Sequence, residues 1–267
     1  MIGMSIRVQL LPTSPGDTSQ VQPLTSFLLN DHIAVDAGSL GFALSSERIA
    51  QIEHLILTHS HLDHTLSLPT AIDSAFHKLK KPLRIYGTAV TIAAVRKHLF
   101  NNEVWVDFTN FNIPGTKENC LEWIEIQPGK PIDFAGAGET VDGLKITSIN
   151  VNHSIPNVGL IVESATTAVV FTSDTWKTQE IWTAASQLPN IAAVIIECSF
   201  PDALEKLAQA SGHLTPATVK GEIAKLNRKV QTYCVHLKPS VREIVAREIK
   251  LLGEDFKIME IGKTYDF

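Results

Sequence analysis

Positions 59–64 read His-Ser-His-Leu-Asp-His, and they follow at once on the apolar run "HLILT". A buried strand that stops at a polar loop can aim several side chains at one point, and sites are often built there. Alternate residues of an extended segment face the same side, so His59 and His61 can share one cation. Asp63 and His64 fall where the chain turns toward a helix that starts about three residues after His64. There they can hold a second cation a few ångströms away. Imidazole nitrogens with a carboxylate suit zinc best, with Mn2+ and Fe2+ as alternatives. The chain has only ten histidines, and a polar surface loop does not require three of them within six positions.

Four side chains cannot fill two metal shells, so further ligands are expected, also at strand ends. His153 closes "ITSINVNH", Asp174 closes "AVVFTSD" and His236 closes "TYCVH". As a set they complete a dinuclear site bridged by Asp174. His59, His61 and His153 would bind one metal, and Asp63, His64 and His236 the other.

The rest of the chain supplies the frame. "SIRVQLL", "LTSFLLN", "HIAVDAG" and "HLILTH" read as short strands between turn residues. Leu68, Ile72, Ala75, Phe76 and Leu79 recur at helical spacing. "LRIYG" is then a strand and "TAVTIAAVRKHLF" a helix. Residues 101–135 are broken by Pro114, Gly115, Pro128, Gly129 and Pro131, and read as an irregular surface excursion. "GLKITSINVNH", "VGLIVES" and "AVVFTSD" are strands again. The last third alternates: "IAAVIIECSF" strand, "PDALEKLAQA" helix, "TPATVKGEIAKLN" helix, "VQTYCVH" strand. A closing helix runs from about Ser240, with Val241, Ile244, Val245, Ile249 and Leu252 inward and Gly253 at its end. Without a repeat or linker, residues 1–267 read as a single domain. The intermixed elements point to an α/β sandwich, sheets inside and helices outside.

A formal charge of −5 opposes a surface that wraps polymeric nucleic acid, because phosphate backbones are held by clustered Lys and Arg. A small phosphate substrate stays open. The three cysteines lie far apart without a CxxC pair, which fits a reducing compartment. The opening stretch lacks the apolar core of a secretory signal, and no run approaches the ~20 apolar residues of a membrane span. A cytoplasmic location is expected. "GAGET" at 136–140 is not a dinucleotide fingerprint, since Val141 stands where the third glycine would be.

His59-x-His61-x-Asp63-His64, with His153, Asp174 and His236, resembles the metallo-β-lactamase superfamily, whose four-layer αββα sandwich agrees with the frame above. "THSHLDH", "IIECSFPD", "GHLTP" and "HLKPS" resemble more narrowly the class II cyclic-nucleotide phosphodiesterases. The resemblance implies hydrolysis of 3′,5′-cyclic nucleotides such as cAMP or cGMP to 5′-nucleotides, by two divalent ions, usually zinc, and a bridging hydroxide. "TLSLPTAID" after the histidine motif and "LPTSPGDTS" near the start depart from the family pattern. The partner implied is a small cyclic nucleotide, not a nucleic-acid polymer or a membrane. The fold also admits a homodimer, although no residues mark its face. A tRNA 3′-end processing nuclease or a general phosphodiesterase of the same fold is the alternative, as is a non-catalytic metal-bound sensor.

For a phosphodiester, the departing 3′-oxygen needs a proton. His213, just before a helix starting at Thr215 and Pro216, is the candidate donor, and Glu197, ending "AVIIE", would hold its imidazolium. The tRNA nucleases use a similar Glu–His arrangement. Asp63 is counted with this catalytic group as well as with the metals. Asp36 resembles the superfamily's aspartate beneath the histidine loop, which implies a bond to a ligand or to the loop backbone; the alternative is a plain strand-end turn, with Gly38 allowing the reversal. Lys238 is either a phosphate contact or a solvated lysine. Trp105, Phe108 and Phe111 are either base-stacking or core residues.

Overall fold

The computed structural model describes residues 5–134, 138 and 140–267; most of "GAGET" lies outside them. Its inner strands are short and apolar on both sides, which dictates burial between two layers. β1 (Arg7–Leu10), β2 (Phe27–Leu29), β3 (Ile33–Val35), β4 (His54–Ile56), β5 (Leu83–Gly87) and β6 (Leu121–Glu125) form one sheet. β14 (Thr264–Asp266) joins it beside β1. The second sheet holds β7 (Thr140–Val141), β8 (Leu144–Val151), β9 (Asn157–Glu163) and β10 (Ala168–Phe171). It continues through β11 (Ile191–Glu197), β12 (Gln231–Val235) and β13 (Phe256–Ile258).

Alternation along each strand sorts its residues between layers. Phe27, Leu29, Ile33, Val35 and Ile56 enter the space between the sheets, where they meet Leu160, Val162, Val169, Phe171 and Ile195. Phe27 and Phe171 close the contact edge to face at 5.5 Å. The intervening Leu28, Ala34 and Leu55 face outward to α4 (Leu68–Ala75) and α5 (Ala89–His98). Ile161, Val170, Val194 and Ile196 face α6 (Glu180–Ser186), α8 (Pro216–Ala224) and α9 (Arg242–Leu251). The architecture is thus helix, sheet, sheet, helix. Each fully buried Leu, Ile or Val contributes about 1.5–3 kcal/mol.

Each sheet is half antiparallel and half parallel. β3–β6 run parallel in the first, and β10–β13 in the second. The carboxyl ends of β3, β4, β10, β11 and β12 carry Asp36, His59, Asp174, Glu197 and His236. Crevices outside such ends are where open α/β sheets bind ligands.

Several elements differ from those read along the sequence. The excursion 101–135 contains β6, an edge strand whose Glu122 pairs with Arg84 of β5 at 3.0 Å. Charge on an edge strand blocks further pairing and masks the strand pattern. β13 and β14 have three residues each and no apolar period long enough to read. The helix after the motif begins earlier, as a turn α3 (Leu62–Thr65) that already contains Asp63 and His64. Ile244 stays 43% exposed, because Val245 and Ile249 define the buried stripe of α9. Among the described residues no helix is long and apolar enough to cross a membrane.

Candidate metal centre

Non-glycine residues adopt left-handed backbone at three strand ends: Asp36 (φ 60°), Ser173 (φ 54°) and His236 (φ 61°). Such conformations cost about 1 kcal/mol or more each and persist where the surroundings enforce them. Here each turns the chain at the sheet edge beside a side chain of the cluster. Gly38 has an ordinary φ; its constraint is proximity. A Cβ on it would lie 1.9 Å from the Asp63 carbonyl oxygen and 2.8 Å from the Thr25 nitrogen. The reversal belongs to Asp36, and Gly38 lets α3 lie directly on the loop that follows β3. Bonds from Ala37 N–H to His64 O (2.7 Å) and from Thr25 N–H to Asp63 O (2.8 Å) fix that seat.

Asp36 is buried and fully engaged. Its carboxylate accepts from the Thr58 backbone N–H (2.8 Å), the Thr58 hydroxyl (2.8 Å) and His64 Nδ1 (2.7 Å). With its proton given to Asp36, the Thr58 oxygen accepts from His59 Nδ1 at 3.0 Å. The Gly212 carbonyl, which can only accept, takes a bond from His153 Nδ1 at 2.9 Å. The Nε2 atoms of His59 and His153 are thereby left as lone pairs turned inward, and His64 presents its Nε2 to the same space.

These atoms converge. The ring nitrogens offered by His59, His61 and His153 lie within 4.8 Å of one another, as do the ligand atoms of Asp63, His64, Asp174 and His236. His153 Nε2 faces His61 Nδ1 at 3.1 Å, and His64 Nε2 faces His236 Nε2 at 3.4 Å. Asp174 Oδ2 stands 3.3 Å from His64, 3.5 Å from His236 and 3.9 Å from His59, within reach of both groups. Asp63 Oδ2 is 3.1 Å from His236 Nε2 and 3.6 Å from Lys238 Nζ. Lys238 is therefore ion-paired at the site rather than merely solvated.

Charge and burial favour a cation here. Burial holds His59 well below the ordinary histidine range, and lowers His61 and His153 as well. Burial also opposes the charge on His64, yet Asp174 and Asp36 together raise it well above that range. Asp174 stays ionised despite complete burial because His236 and His64 face it. Asp63 is likewise held ionised against its burial by His236 and His64. His59 Nε2 is buried and has no hydrogen-bond partner among the described residues. An orphaned buried nitrogen is costly unless something accepts its lone pair. A divalent cation does, and it can replace the His64 proton that the carboxylates draw in. The donor set of imidazoles and carboxylates fits such an ion.

Beside this cluster, Glu197 is buried and accepts from His213 Nδ1 at 2.9 Å. Its other bonds come from the Ser199 hydroxyl and from the backbone N–H groups of Thr175, Leu214 and Ser199. Burial works against protonation of His213, but the Glu197 carboxylate outweighs it and raises the imidazole above its ordinary value. His213 stacks on His236 at 5.5 Å and lies 4.0 Å from Asp174. Thr215 caps α8 through a reciprocal bond pair with Thr218, with Pro216 in the first turn.

Of the aromatics in the excursion, Phe108 is core, and Phe111 stays 44% exposed. Phe108 is buried in the helical layer, Phe111 packs on it and on Phe76, and Trp105 leans on the same cluster. The sequence did not mark Thr58, Ser199 or Glu222. Glu222 of α8 is buried and accepts from Trp182 Nε1 (2.7 Å), Thr178 N–H (3.0 Å) and Lys225 Nζ (2.7 Å). It pins α8 to the loop that follows Asp174.

Two sheets wrapped by helices, with a His/Asp cluster at their common edge, define a protein of the metallo-β-lactamase fold. The yeast PDE1 structure matches with a TM-score of 0.78 at 18% identity, covering 99% of this chain and 100% of that one. The metallo-β-lactamase fold protein YhfI from Bacillus subtilis matches at 0.71 and 19% identity, covering 99% and 100%. Residues 42–181, just over half the chain, match the family of class II cAMP phosphodiesterases, and the chain belongs to that family. A 3′,5′-cyclic-nucleotide phosphodiesterase of Schizosaccharomyces pombe is 24% identical over 93% of this chain and 83% of its own length. The protein is accordingly a hydrolase.

Proposed function

We propose that this protein hydrolyses 3′,5′-cyclic nucleotides to 5′-nucleotides at a centre of two divalent ions, zinc by donor type. His59, His61 and His153 would hold one ion, Asp63, His64 and His236 the other, and Asp174 would serve both. The observation that carries this reading is the placement of the Glu197–His213 pair against Asp174, with His213 Nδ1 4.0 Å from Asp174 Oδ2. A phosphodiester with a poor alkoxide leaving group gains from a proton donor beside the metals.

When bound, the ions supply the Lewis acidity that offsets the charge of the diester. His213, held by Glu197 through Nδ1, keeps Nε2 available to protonate the departing 3′-oxygen. Asp63 sits nearer the opening than Asp174 or Glu197, its side chain 29% exposed. It orients the attacking water by accepting one of its hydrogen bonds. Lys238, next to Asp63, offers a positive charge to the phosphoryl oxygens.

The test is metal content together with turnover of cAMP, cGMP and bis(p-nitrophenyl) phosphate. Metal-replete protein that turns over no diester overturns the reading.

A further inference from the structure

Ser199 lies two residues beyond Glu197, fully buried at the sheet edge. Its Oγ stands 2.8 Å from Glu197 Oε2, 3.0 Å from His236 Nδ1, 3.1 Å from the His236 carbonyl and 3.3 Å from His213 Nδ1. A hydroxyl has one proton to give and lone pairs to accept with. Which way that proton points decides how the two histidines are held.

Consider His236 with Nε2 committed to a cation. Its remaining proton must then sit on Nδ1, which can only donate. Ser199 Oγ accepts that bond, and its own proton goes to its shortest acceptor, Glu197 Oε2. The Ser199 backbone N–H donates to the same oxygen at 3.1 Å, which holds the serine in place. Glu197 Oε1 is thereby left to His213 Nδ1 and to the N–H groups of Thr175 and Leu214. Without a cation on Nε2, His236 can carry its proton on either nitrogen, and Ser199 can donate to Nδ1 instead of to Glu197.

We propose that Ser199 is a positioning residue that couples cation binding at His236 to the Glu197–His213 pair through one hydroxyl. Occupancy at His236 sets the direction of the hydrogen bonds that hold the acid. This deepens the proposed function and rests on its assignment of His236 as a ligand.

The variants are Ser199→Ala and Ser199→Thr, the second keeping the hydroxyl. Zinc affinity of the full chain is measured by competition with a chromogenic chelator. Ser199→Ala is expected to bind its weaker zinc about 10–100-fold less tightly, the usual effect of removing a bond behind a ligand. Ser199→Thr is expected within about threefold of wild type, on the hydroxyl inventory it retains. Wild-type affinity in Ser199→Ala, or equal losses in both variants, overturns the role of the hydroxyl. Zinc binding does not depend on which diester is cleaved, so this outcome stands apart from failure of the cyclic-nucleotide reading. At saturating zinc, kcat of Ser199→Ala should fall more for a diester with an alkoxide leaving group than for bis(p-nitrophenyl) phosphate. Equal falls overturn the coupling to the acid pair.

Discussion

Asp36 Oδ2 and His64 Nδ1 meet at 2.7 Å, both side chains buried, and the carboxylate also carries two bonds from Thr58. One acidic side chain thus orients His64 directly and His59 through the Thr58 hydroxyl. Asp36→Asn keeps the shape but removes an acceptor and the charge. It is expected to lower metal affinity about 10–100-fold while the fold survives. Zinc titration with circular dichroism checks both halves; wild-type affinity would make Asp36 a turn residue only.

Under the proposed mechanism His213 serves the chemistry rather than the metal, although its ligand atom lies within 4.8 Å of those of His153 and Asp174. His213→Gln should keep its metal content and lose about 10²–10⁴ in kcat on cyclic nucleotides, the usual worth of general acid catalysis. The loss should shrink with a p-nitrophenolate leaving group, which departs without a proton. Metal analysis with kcat on both substrates decides it, and full turnover of cAMP by His213→Gln would remove His213 from the mechanism.

How much of this the sequence reveals depends on the reach of each contact. The strand-ending positions of Asp36, His153, Asp174 and His236 were legible because apolar runs stop there abruptly. The place of Asp36 beneath the histidine loop was expected from the resemblance, since the strand ending by itself equally suits a plain turn. Ser199 and Thr58 could not, since a hydroxyl at a strand end has no period and its meaning lies in what it touches. Glu222 looks like any polar position of a surface helix until Trp182, forty residues away in sequence, is seen to donate to it. β14 pairs with β1 across almost the whole chain, a relation that local patterns do not carry. Phe108 shows the reverse case, where a suggestive residue serves packing.

Gly38 is held by contact rather than by its φ. A methyl there would overlap the Asp63 carbonyl oxygen at 1.9 Å, and backbone on both sides leaves no rotamer to give way. Gly38→Ala must push α3 outward, moving Asp63 and His64 together. Overpacking of this kind costs about 1–3 kcal/mol. The melting temperature should fall and zinc affinity weaken in the same variant; an unchanged affinity would show that the loop absorbs the methyl elsewhere.

Glu222 offers a test of the frame without touching the cluster. Removing it strands Trp182 Nε1 and Thr178 N–H and leaves the Lys225 ammonium only the Thr178 carbonyl, and breaking a buried ion pair costs about 3–5 kcal/mol. Lys225 is 30% exposed and can rehydrate, which places Glu222→Ala toward the lower end. Chemical denaturation followed by tryptophan fluorescence reads the change. A loss below about 1 kcal/mol, the scale of a surface pair, would show that α8 is held by apolar packing alone.

Metal loading should itself be proton-linked, and the direction follows from the environments. His59, His61 and His153 are lowered by burial, so they are neutral at pH 7 and have no proton to lose. His64 is raised well above the ordinary value by Asp174 and Asp36, so it is protonated there and must release its proton to bind a cation. About one proton per chain should therefore appear on zinc binding at pH 7 from this residue. Apparent affinity should rise with pH past the ordinary histidine value near 6.5 and level off only above the raised value of His64. The metal-free fold has the opposite dependence. The His64 contribution to its stability is fully present below about 6.5 and is lost as pH rises through the raised value. Calorimetric zinc titrations in buffers of different ionisation enthalpy count the protons, and a count near zero at pH 7 would mean that His64 is already neutral.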